Sequence, residues 1–356
     1  MKIAIRADAS ASIGLGHVKR CLSLAQALRD EDAEVMFYVR ATDVDAAGEI
    51  ARSGFDCHAI ADGPVRDADS EHDDARAFIA SSRSFEPDAV LADHYALGAS
   101  WHRAVQQGTG AQMAAIDDLG DRPMAVDLLV DPNMATDHTA KHARHGRVPP
   151  VLLGGPGYAL LAPAYADAPR GEPRDSVASI GIFMGGTDEA DLSTLALAVV
   201  RDDLGFRGAV EIATTSGNPH LARLRERVEA DAQTQLTVDQ PDLAAFYARH
   251  DLHLGAGGGA TWERCCLGAP TLALLAAPNQ REVLLPLQNL GVMRVVTAEP
   301  PRAADIAPPL RELIVDAALR HSLSVHGREL VDGLGARRVA RRLLDLERPV
   351  QGARLR

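Results

Sequence analysis

A histidine set between a glycine pair and the start of a helical pattern is the chemistry-bearing feature of this chain. The stretch runs Arg6-Ala7-Asp8-Ala9-Ser10-Ala11-Ser12-Ile13-Gly14-Leu15-Gly16-His17-Val18-Lys19-Arg20. The apolar run Ile3-Ala4-Ile5 leads in, and Cys21-Leu22-Ser23-Leu24-Ala25-Gln26-Ala27-Leu28 leads out with helical periodicity. Together they read as strand, glycine-hinged loop and helix start. A helix start surrounds an imidazole with backbone N–H groups and the positive end of the dipole. Such surroundings disfavour the imidazolium and leave a neutral ring able to accept a proton. His17 is therefore the candidate base, with Gly14 and Gly16 shaping its loop. A histidine that only fills a glycine-rich turn explains the same residues.

Two further glycine loops point to an anion. Phe183-Met184-Gly185-Gly186-Thr187-Asp188 follows an apolar run and precedes a helical one. Gly255-Ala256-Gly257-Gly258-Gly259-Ala260-Thr261-Trp262-Glu263 does the same. Glycines there let backbone N–H groups close on an anion, and two such loops suit a diphosphate. Glu263, one turn into its helix, is placed to accept hydrogen bonds from ribose hydroxyls. A tight turn accounts equally well for Gly185-Gly186. Asp93-His94-Tyr95 reads as a polar pocket wall rather than a nucleophile pair. Asp117-Asp118 reads as the cap of a helix or turn, ahead of a metal pair. Lys19, Arg20, Tyr95 and Asn279 fall near these loops by position. Cys265-Cys266 and Trp262 read as core.

Other chemistries lack their signatures. Gly14-Leu15-Gly16 is followed by His17-Val18-Lys19, so Gly-x-Gly-x-x-Gly fails at its last position. The run from Gly255 to Ala260 satisfies that fingerprint only in its form ending in Ala. There is no Gly-x-x-x-x-Gly-Lys-Ser/Thr and no Gly-x-Ser-x-Gly. Nicotinamide, ATP and serine-hydrolase readings are weak accordingly.

These residues need strands and helices to position them. The first half alternates apolar runs at Lys2–Arg6, Glu34–Val39, Cys57–Ile60, Asp88–Ala92, Gln112–Ile116 and Asp127–Val130 with helical patterns at His17–Arg29, Val44–Arg52, Glu71–Ser81 and Ala99–Gln106. Such alternation predicts a mostly parallel, doubly wound sheet, with the active residues beyond the strands' carboxyl ends. One rim then carries Asp8 to His17, Asp93 to Tyr95 and Asp117-Asp118. A second set has strands at Ser179–Met184, Gly208–Ala213, Gln235–Val238, Asp251–Gly255, Thr271–Leu275 and Val292–Val296. Its helices fall at Glu189–Arg201, Pro219–Glu229, Asp242–Arg249, Ala260–Leu267 and Val283–Leu290, before a helical tail from Asp305 to Leu346. The expected organisation is a first domain at 1–164, a linker at 165–177 and a nucleotide-binding domain at 178–334. A last helix at about 335–350 packs back on the first domain.

Composition bounds the rest. The chain has 356 residues, 46% hydrophobic, 24% charged and 4% aromatic, so the core is mostly Ala, Leu and Val. Its net charge of −12 argues against non-specific nucleic-acid binding and leaves a small anionic ligand open. Cys21, Cys57, Cys265 and Cys266 form no Cys-x-x-Cys pair. No signal-peptide pattern opens the chain, and no apolar run reaches the roughly 18 residues of a membrane helix. A cytoplasmic protein without a membrane anchor is expected, with Arg337-Arg338 and Arg341-Arg342 on a solvated helix face.

Taken as a set, the motifs resemble one family. Alongside the His17 stretch are Asp93-His94-Tyr95-Ala96-Leu97 with Trp101, Ile116-Asp117-Asp118-Leu119-Gly120-Asp121-Arg122, Asp127-Leu128-Leu129-Val130-Asp131-Pro132-Asn133 and Leu153-Gly154-Gly155-Pro156-Gly157-Tyr158. Gly185-Gly186-Thr187-Asp188, the run from Gly255 to Gly268, and Asn279-Gln280 complete it. The chain is similar to the UDP-2,4-diacetamido-2,4,6-trideoxy-β-L-altropyranose hydrolases of pseudaminic acid biosynthesis, from its start to about Leu290. That resemblance implies a GT-B-like α/β fold, two doubly wound parallel-sheet domains facing a cleft. It implies a metal-independent hydrolysis without cofactor, in which water attacks the anomeric carbon with inversion and UDP leaves. Carried over, His17 activates the water, and Glu263 with the loop around Gly257 binds UDP. The expected substrate and UDP side comprises Gly14, Gly16, Arg6, Asp8, Asp93, Tyr95, Asn133, Gly186, Gly257, Gly258, Thr261, Glu263, Asn279 and Gln280. A monomer or weak dimer is expected. Met124-Ala125-Val126 and the pair Gly155, Gly157 depart from the family pattern on the sugar side. A hydrolase of another nucleotide-activated amino sugar, a GT-B glycosyltransferase and a non-catalytic nucleotide-sugar binder are the alternatives.

Overall fold

Ile3, Ala4 and Ile5 have no polar face to offer water, and a parallel strand covered on both sides needs none. In the computed structural model they are fully buried in β1, at the centre of a sheet. The structure describes residues 1–10, 14–169 and 174–346, leaving aside the side chain of Asn279. The chain divides into two compact units, Met1–Leu160 with the segment from Leu334, and Leu161–Gly333.

In unit 1 the order is β1 (Lys2–Ala7), α1 (Gly16–Arg29), β2 (Glu34–Ala41), α2 (Ala46–Arg52), β3 (Asp56–Asp62), α3 (Ala68–Ser82), β4 (Ala89–Asp93), α4 (Ala99–Thr109), β5 (Gln112–Ile116), β6 (Leu128–Asp131), α5 (His138–Ala143) and β7 (Val151–Gly154). The seven strands form one sheet ordered β3-β2-β1-β4-β5-β6-β7, with every pair parallel. The order reverses direction between β1 and β4, the switch point where α/β sheets open a crevice. Register pairs Ala7 with Asp93 there, so the residues after β1 and at the end of β4 share the crevice. β7 is not among the expected strands, because Val151-Leu152-Leu153 is a very short apolar run.

Unit 2 holds α6 (Pro163–Asp167), β8 (Ser179–Phe183), α7 (Leu192–Ala198), β9 (Ala209–Thr214), α8 (Leu221–Glu229), β10 (Thr234–Val238), α9 (Ala244–Arg249), β11 (Leu252–Ala256), α10 (Ala260–Leu267), β12 (Thr271–Leu274), α11 (Arg281–Asn289), β13 (Arg294–Val296), α12 (Ala303–Val315) and α13 (Ala317–Leu330). Its sheet is ordered β10-β9-β8-β11-β12-β13, again parallel throughout, with a switch point between β8 and β11. Tyr165, placed by sequence at the head of the linker, is instead a buried part of this unit: its hydroxyl accepts from the Leu243 N–H at 3.1 Å. Residues 170–173 of the expected linker lie outside the described residues. No helix among the described residues is long and apolar enough to cross a membrane.

The last helix, α14 (Gly335–Leu344), lies in unit 1. Val339, Ala340 and Leu343 share a core cluster with Val18, Cys21, Leu22, Ala25 and Leu28 of α1. Its arginines are tied at the rim, Arg338 to the Gly157 carbonyl at 2.9 Å and Arg341 to Glu31 at 2.9 Å. Residues 347–350 of the expected helix lie outside the described residues. Leu343→Ala empties a fully buried site beside α1 and is expected to cost about 2–5 kcal/mol, whereas the exposed Arg342→Ala should stay within about 0.5 kcal/mol. Denaturant unfolding of the two variants measures the difference.

Candidate active site

Two elements meet at the switch point of unit 1. α1 begins at Gly16 with no side-chain cap, so His17 enters its first turn. Asp93 ends β4 and is fully buried. The His17 Nδ1 lies 2.6 Å from Asp93 Oδ1. Arg20, one helical turn beyond His17 and on the same face, closes on the carboxylate with two N–H groups: Nε donates to Oδ2 at 2.6 Å and Nη2 to Oδ1 at 2.6 Å. Burial pushes the Asp93 carboxyl upward, but Arg20 and then His17 outweigh it and hold the group well below the usual carboxylate range. A carboxylate only accepts hydrogen bonds, so the shared proton belongs to His17 Nδ1. With the proton on Nδ1, Nε2 is the nitrogen left to act as an acceptor. Tyr95 stands edge-on to the ring with centroids 4.5 Å apart. Arg20 Nη1 also donates to Asp118 Oδ2 at 3.1 Å. Burial, followed by Asp118, pushes the Tyr95 phenol well up, so the hydroxyl keeps its proton. The Cys21 thiol donates to Asp93 Oδ2 at 3.5 Å, and burial and Asp93 together keep it protonated. A helix start and the family resemblance are what single out His17 in the sequence. The structure adds an oriented carboxylate to it.

Three residues expected on the substrate side are turned inward instead. Arg6 is fully buried and bonded to both oxygens of Asp8 and of Asp74. Asp8, also buried, accepts in addition from the Arg40 N–H at 2.7 Å and faces His94 Nε2 at 3.4 Å. The Ala96 N–H donates to His94 Nδ1 at 3.0 Å, which puts the His94 proton on Nε2, toward Asp8. Burial raises the Asp8 carboxyl, and Arg6 and His94 more than reverse it. Asp93 likewise gives both oxygens to the protein. Charges this deep must be paired, and Arg6, Asp8 and Asp93 are each paired within the protein.

The neighbouring strands repeat the arrangement. Asp117 accepts from the Gly120 N–H at 3.0 Å and from Arg122 Nη1 at 3.0 Å, closing a turn rather than offering a metal pair. Asp131 accepts from Lys141 at 2.7 Å, from the Asn133 N–H at 3.1 Å, and lies 3.0 Å from His142 Nε2. Asn133 is half-buried, and its carbonyl faces His138 Nε2 at 3.0 Å. Sequence reasoning gave His138 and His142 no role, although their i, i+4 spacing is one that metals use. The structure sends them to different partners.

In unit 2 the loop between β11 and α10 is held from below. Arg264, buried, donates from Nη2 to the Ala256 carbonyl at 2.6 Å and to Thr261 Oγ1 at 3.4 Å. Thr261 is fully buried, with its hydroxyl turned to Arg264. Gln280 Oε1 accepts from the N–H groups of Gly257 at 3.0 Å and Ala276 at 3.1 Å, joining this loop to the one after β12. Gly258 adopts φ +93° with open space where a Cβ would point, and α10 has no side-chain cap. Glu263, half-buried in the first turn of α10, is hydrogen-bonded by Tyr165, whose phenol burial and then Glu263 push far up. The Asn279 side chain lies outside the described residues.

The other glycine loop differs from expectation. Gly185 takes φ +97°, and the Gly186 carbonyl accepts from Thr215 Oγ1 at 2.7 Å. The start of α7 is closed from within, since the buried Asp188 accepts from the N–H groups of Leu192 and Ser193, both at 2.9 Å. Those two N–H groups are not free for a phosphate. A carboxylate four residues before the first helical residue is the sequence signal for this cap, and it moves the helix start from 189 to 192.

No protein-family model matches the chain. It is 25% identical over 296 residues to the UDP-2,4-diacetamido-2,4,6-trideoxy-beta-L-altropyranose hydrolase of Campylobacter jejuni, across 82% of this chain and 97% of that protein. It is 23% identical over 364 residues to the spore coat polysaccharide biosynthesis protein SpsG of Bacillus subtilis, across 97% and 98% of the two chains. The family that the motifs resemble is thus met again along most of the chain. Among solved structures, that of MurG from Acinetobacter baumannii superposes with a TM-score of 0.68 at 13% identity, covering 97% of this chain and 99% of the other. The fold is GT-B-like, two doubly wound parallel-sheet domains.

Asp93 also sets a pH dependence. Its folded pKa lies below the ordinary value of about 3.9, so its stabilisation is fully present above about pH 4 and is lost as pH falls toward the depressed value. Unit 1 should lose stability steadily below about pH 4. Asp93→Asn should be less stable at pH 7 and show a flatter acid dependence, read from unfolding midpoints across pH.

Proposed function

We propose that this chain hydrolyses a UDP-linked amino sugar of the UDP-2,4-diacetamido-2,4,6-trideoxy-β-L-altropyranose class to the free sugar and UDP. The observation that carries the reading is the His17–Asp93 pair: a base whose proton-accepting nitrogen is fixed by a buried carboxylate, at an uncapped helix start. The similarity to the Campylobacter hydrolase supplies the substrate class.

In this reading His17 Nε2 takes a proton from water as its oxygen attacks the anomeric carbon. The C1–O bond breaks with inversion, and its electron pair leaves on the β-phosphate of UDP. UDP is a good leaving group, so a positioned base and donors for the diphosphate suffice, without metal or cofactor. Backbone N–H groups around Gly257 and Gly258 meet the diphosphate, and Glu263 accepts from ribose hydroxyls. Gln280 acts through the Gly257 loop. Gly14, with φ +67°, and Gly16 shape the turn that leads to His17. Tyr95 and Asn133 belong to the sugar side, and Gly186 and Asn279 to the nucleotide side. The enzyme is taken as cytoplasmic, a monomer or weak dimer.

Incubation with the UDP-diacetamido sugar and a chelator, followed by NMR, should show UDP release and the inverted anomer first. No release, or release only on adding a divalent metal, would sink the reading. A glycosyltransferase would instead need an acceptor before UDP appeared. His17→Ala should fold normally and lose about 10²–10⁴-fold in kcat. Glu263→Gln should raise the UDP dissociation constant about tenfold and leave kcat within a few-fold, measured by calorimetry and steady-state kinetics.

A further inference from the structure

Arg20 joins Asp93, Asp118 and the His17 ring at the rim of the unit 1 sheet. Its guanidinium meets Asp93 with two hydrogen bonds of 2.6 Å and Asp118 with a third of 3.1 Å. Its Nη2 also lies 3.3 Å from His17 Nδ1. Asp93 Oδ1 is therefore shared between a ring N–H and a guanidinium N–H, each at 2.6 Å. A lone buried carboxylate at that distance would favour the doubly protonated, cationic ring, which has no lone pair to accept a proton. A fixed cation beside the same ring disfavours that form by like-charge repulsion.

We propose that Arg20 is a positioning residue that cancels the pull of Asp93 on His17, keeping the imidazole in its neutral Nδ1–H form with Nε2 as proton acceptor. Asp93 then orients the ring without trapping it as a cation. The inference rests on the reading of His17 as the base. The charged and titratable groups around the ring are few and come from several elements. α1 supplies Arg20 and the Cys21 thiol, β4 supplies Asp93, the segment after β4 supplies Tyr95, and the segment after β5 supplies Asp118 by way of Arg20. Cys21 and Tyr95 are both held in their neutral forms, so Arg20, Asp93 and Asp118 set the local balance of charge. Lys19, on the same helix, is paired with Glu49 of α2 at 2.5 Å. Lysine is no substitute for Arg20 in geometry, because it lacks the planar fork, but it preserves the charge.

The test compares Arg20→Met with Arg20→Lys. For each, the pH profile of kcat/KM is measured with the UDP-diacetamido sugar, and the His17 ring nitrogens are followed by two-bond ¹H–¹⁵N NMR in the ligand-free protein. In Arg20→Met the acid limb of the profile should move up by about 1–3 pH units, with the rate recovering toward high pH. The same variant should carry a cationic His17 ring at neutral pH, where the unsubstituted protein shows a bare Nε2. Arg20→Lys should lower kcat while leaving the acid limb within about half a unit of its original place, since the charge is kept. A uniform loss at every pH in Arg20→Met, with the ring nitrogens unchanged, would make Arg20 a structural residue only and overturn the proposal. Arg20→Gln replaces the methionine variant if that one does not fold. Should the unsubstituted protein release no UDP at all, the hydrolase reading fails, while the ring spectra still decide what Arg20 does.

Discussion

A carboxylate sealed from water at the end of β4 must stay charged, and the rim of the unit 1 sheet is built to keep it so. Asp93 has no exposed surface, and moving an unpaired carboxylate there would cost several kcal/mol. Arg20 and His17 offset that cost from one face of α1, and they reach it because residues three apart on a helix lie side by side. The helix is in turn held by its own buried face, Val18, Cys21, Leu22, Ala25 and Leu28, against the sheet and α14. Orientation of His17 is thus inherited from the register of β1 and β4 and from the packing of a helix that the chain supplies only at its far end.

The same solution recurs along the sheet. β1 is followed by Asp8, β4 ends in Asp93, β5 is followed by Asp117, and β6 ends in Asp131, all buried. Each has its own cation: Arg6, Arg20, Arg122 and Lys141. Adjacent parallel strands place these carboxylates side by side, where unpaired like charges would repel one another at close range. Pairing each one locally fixes the loops that follow the strands. At β4 the pair also takes in His17 through Nδ1, from the first turn of α1, and that addition separates a scaffold carboxylate from one beside a candidate base.

Much of this was legible from residue pattern. β5 and α10 were placed at their full lengths because an apolar run and a terminal glycine bound them without ambiguity. The two sheets followed from strand–helix alternation, and the return of the last helix to unit 1 from the two-domain GT-B-like architecture that this alternation resembles. What stayed hidden were relations between residues far apart in sequence. Arg6 and Asp8 look like ligand-side polar residues until Asp74, 68 positions from Arg6, is seen to accept from Arg6, which holds Asp8 in turn. Asp93 looks like a pocket wall until the β1–β4 register sets it against α1. Tyr165 looks like linker because its flanks are rich in proline and glycine, yet its ring is buried in unit 2. Burial of charge is decided by long-range pairing, which periodicity does not encode.

Glycine runs show the limit most sharply, because one residue type answers several physical demands. In the loop before α10, Gly255 is needed because a Cβ would stand 2.5 Å from the Arg264 guanidinium. Gly257 is needed because a Cβ would stand 2.8 Å from the Gln280 side chain. Gly258 is needed for its left-handed backbone, φ +93°, and has open space around it. Two of the three are thus matters of packing, and the third turns the chain into a helix start that no side chain caps. The Gly185-Gly186 loop shares the composition, but Asp188 takes the N–H groups at the start of its helix. An anion-accepting helix start therefore depends less on how many glycines precede it than on whether a nearby Asp, Ser or Thr has already closed it. Between these two glycine loops, that criterion leaves the start of α10 open and the start of α7 closed.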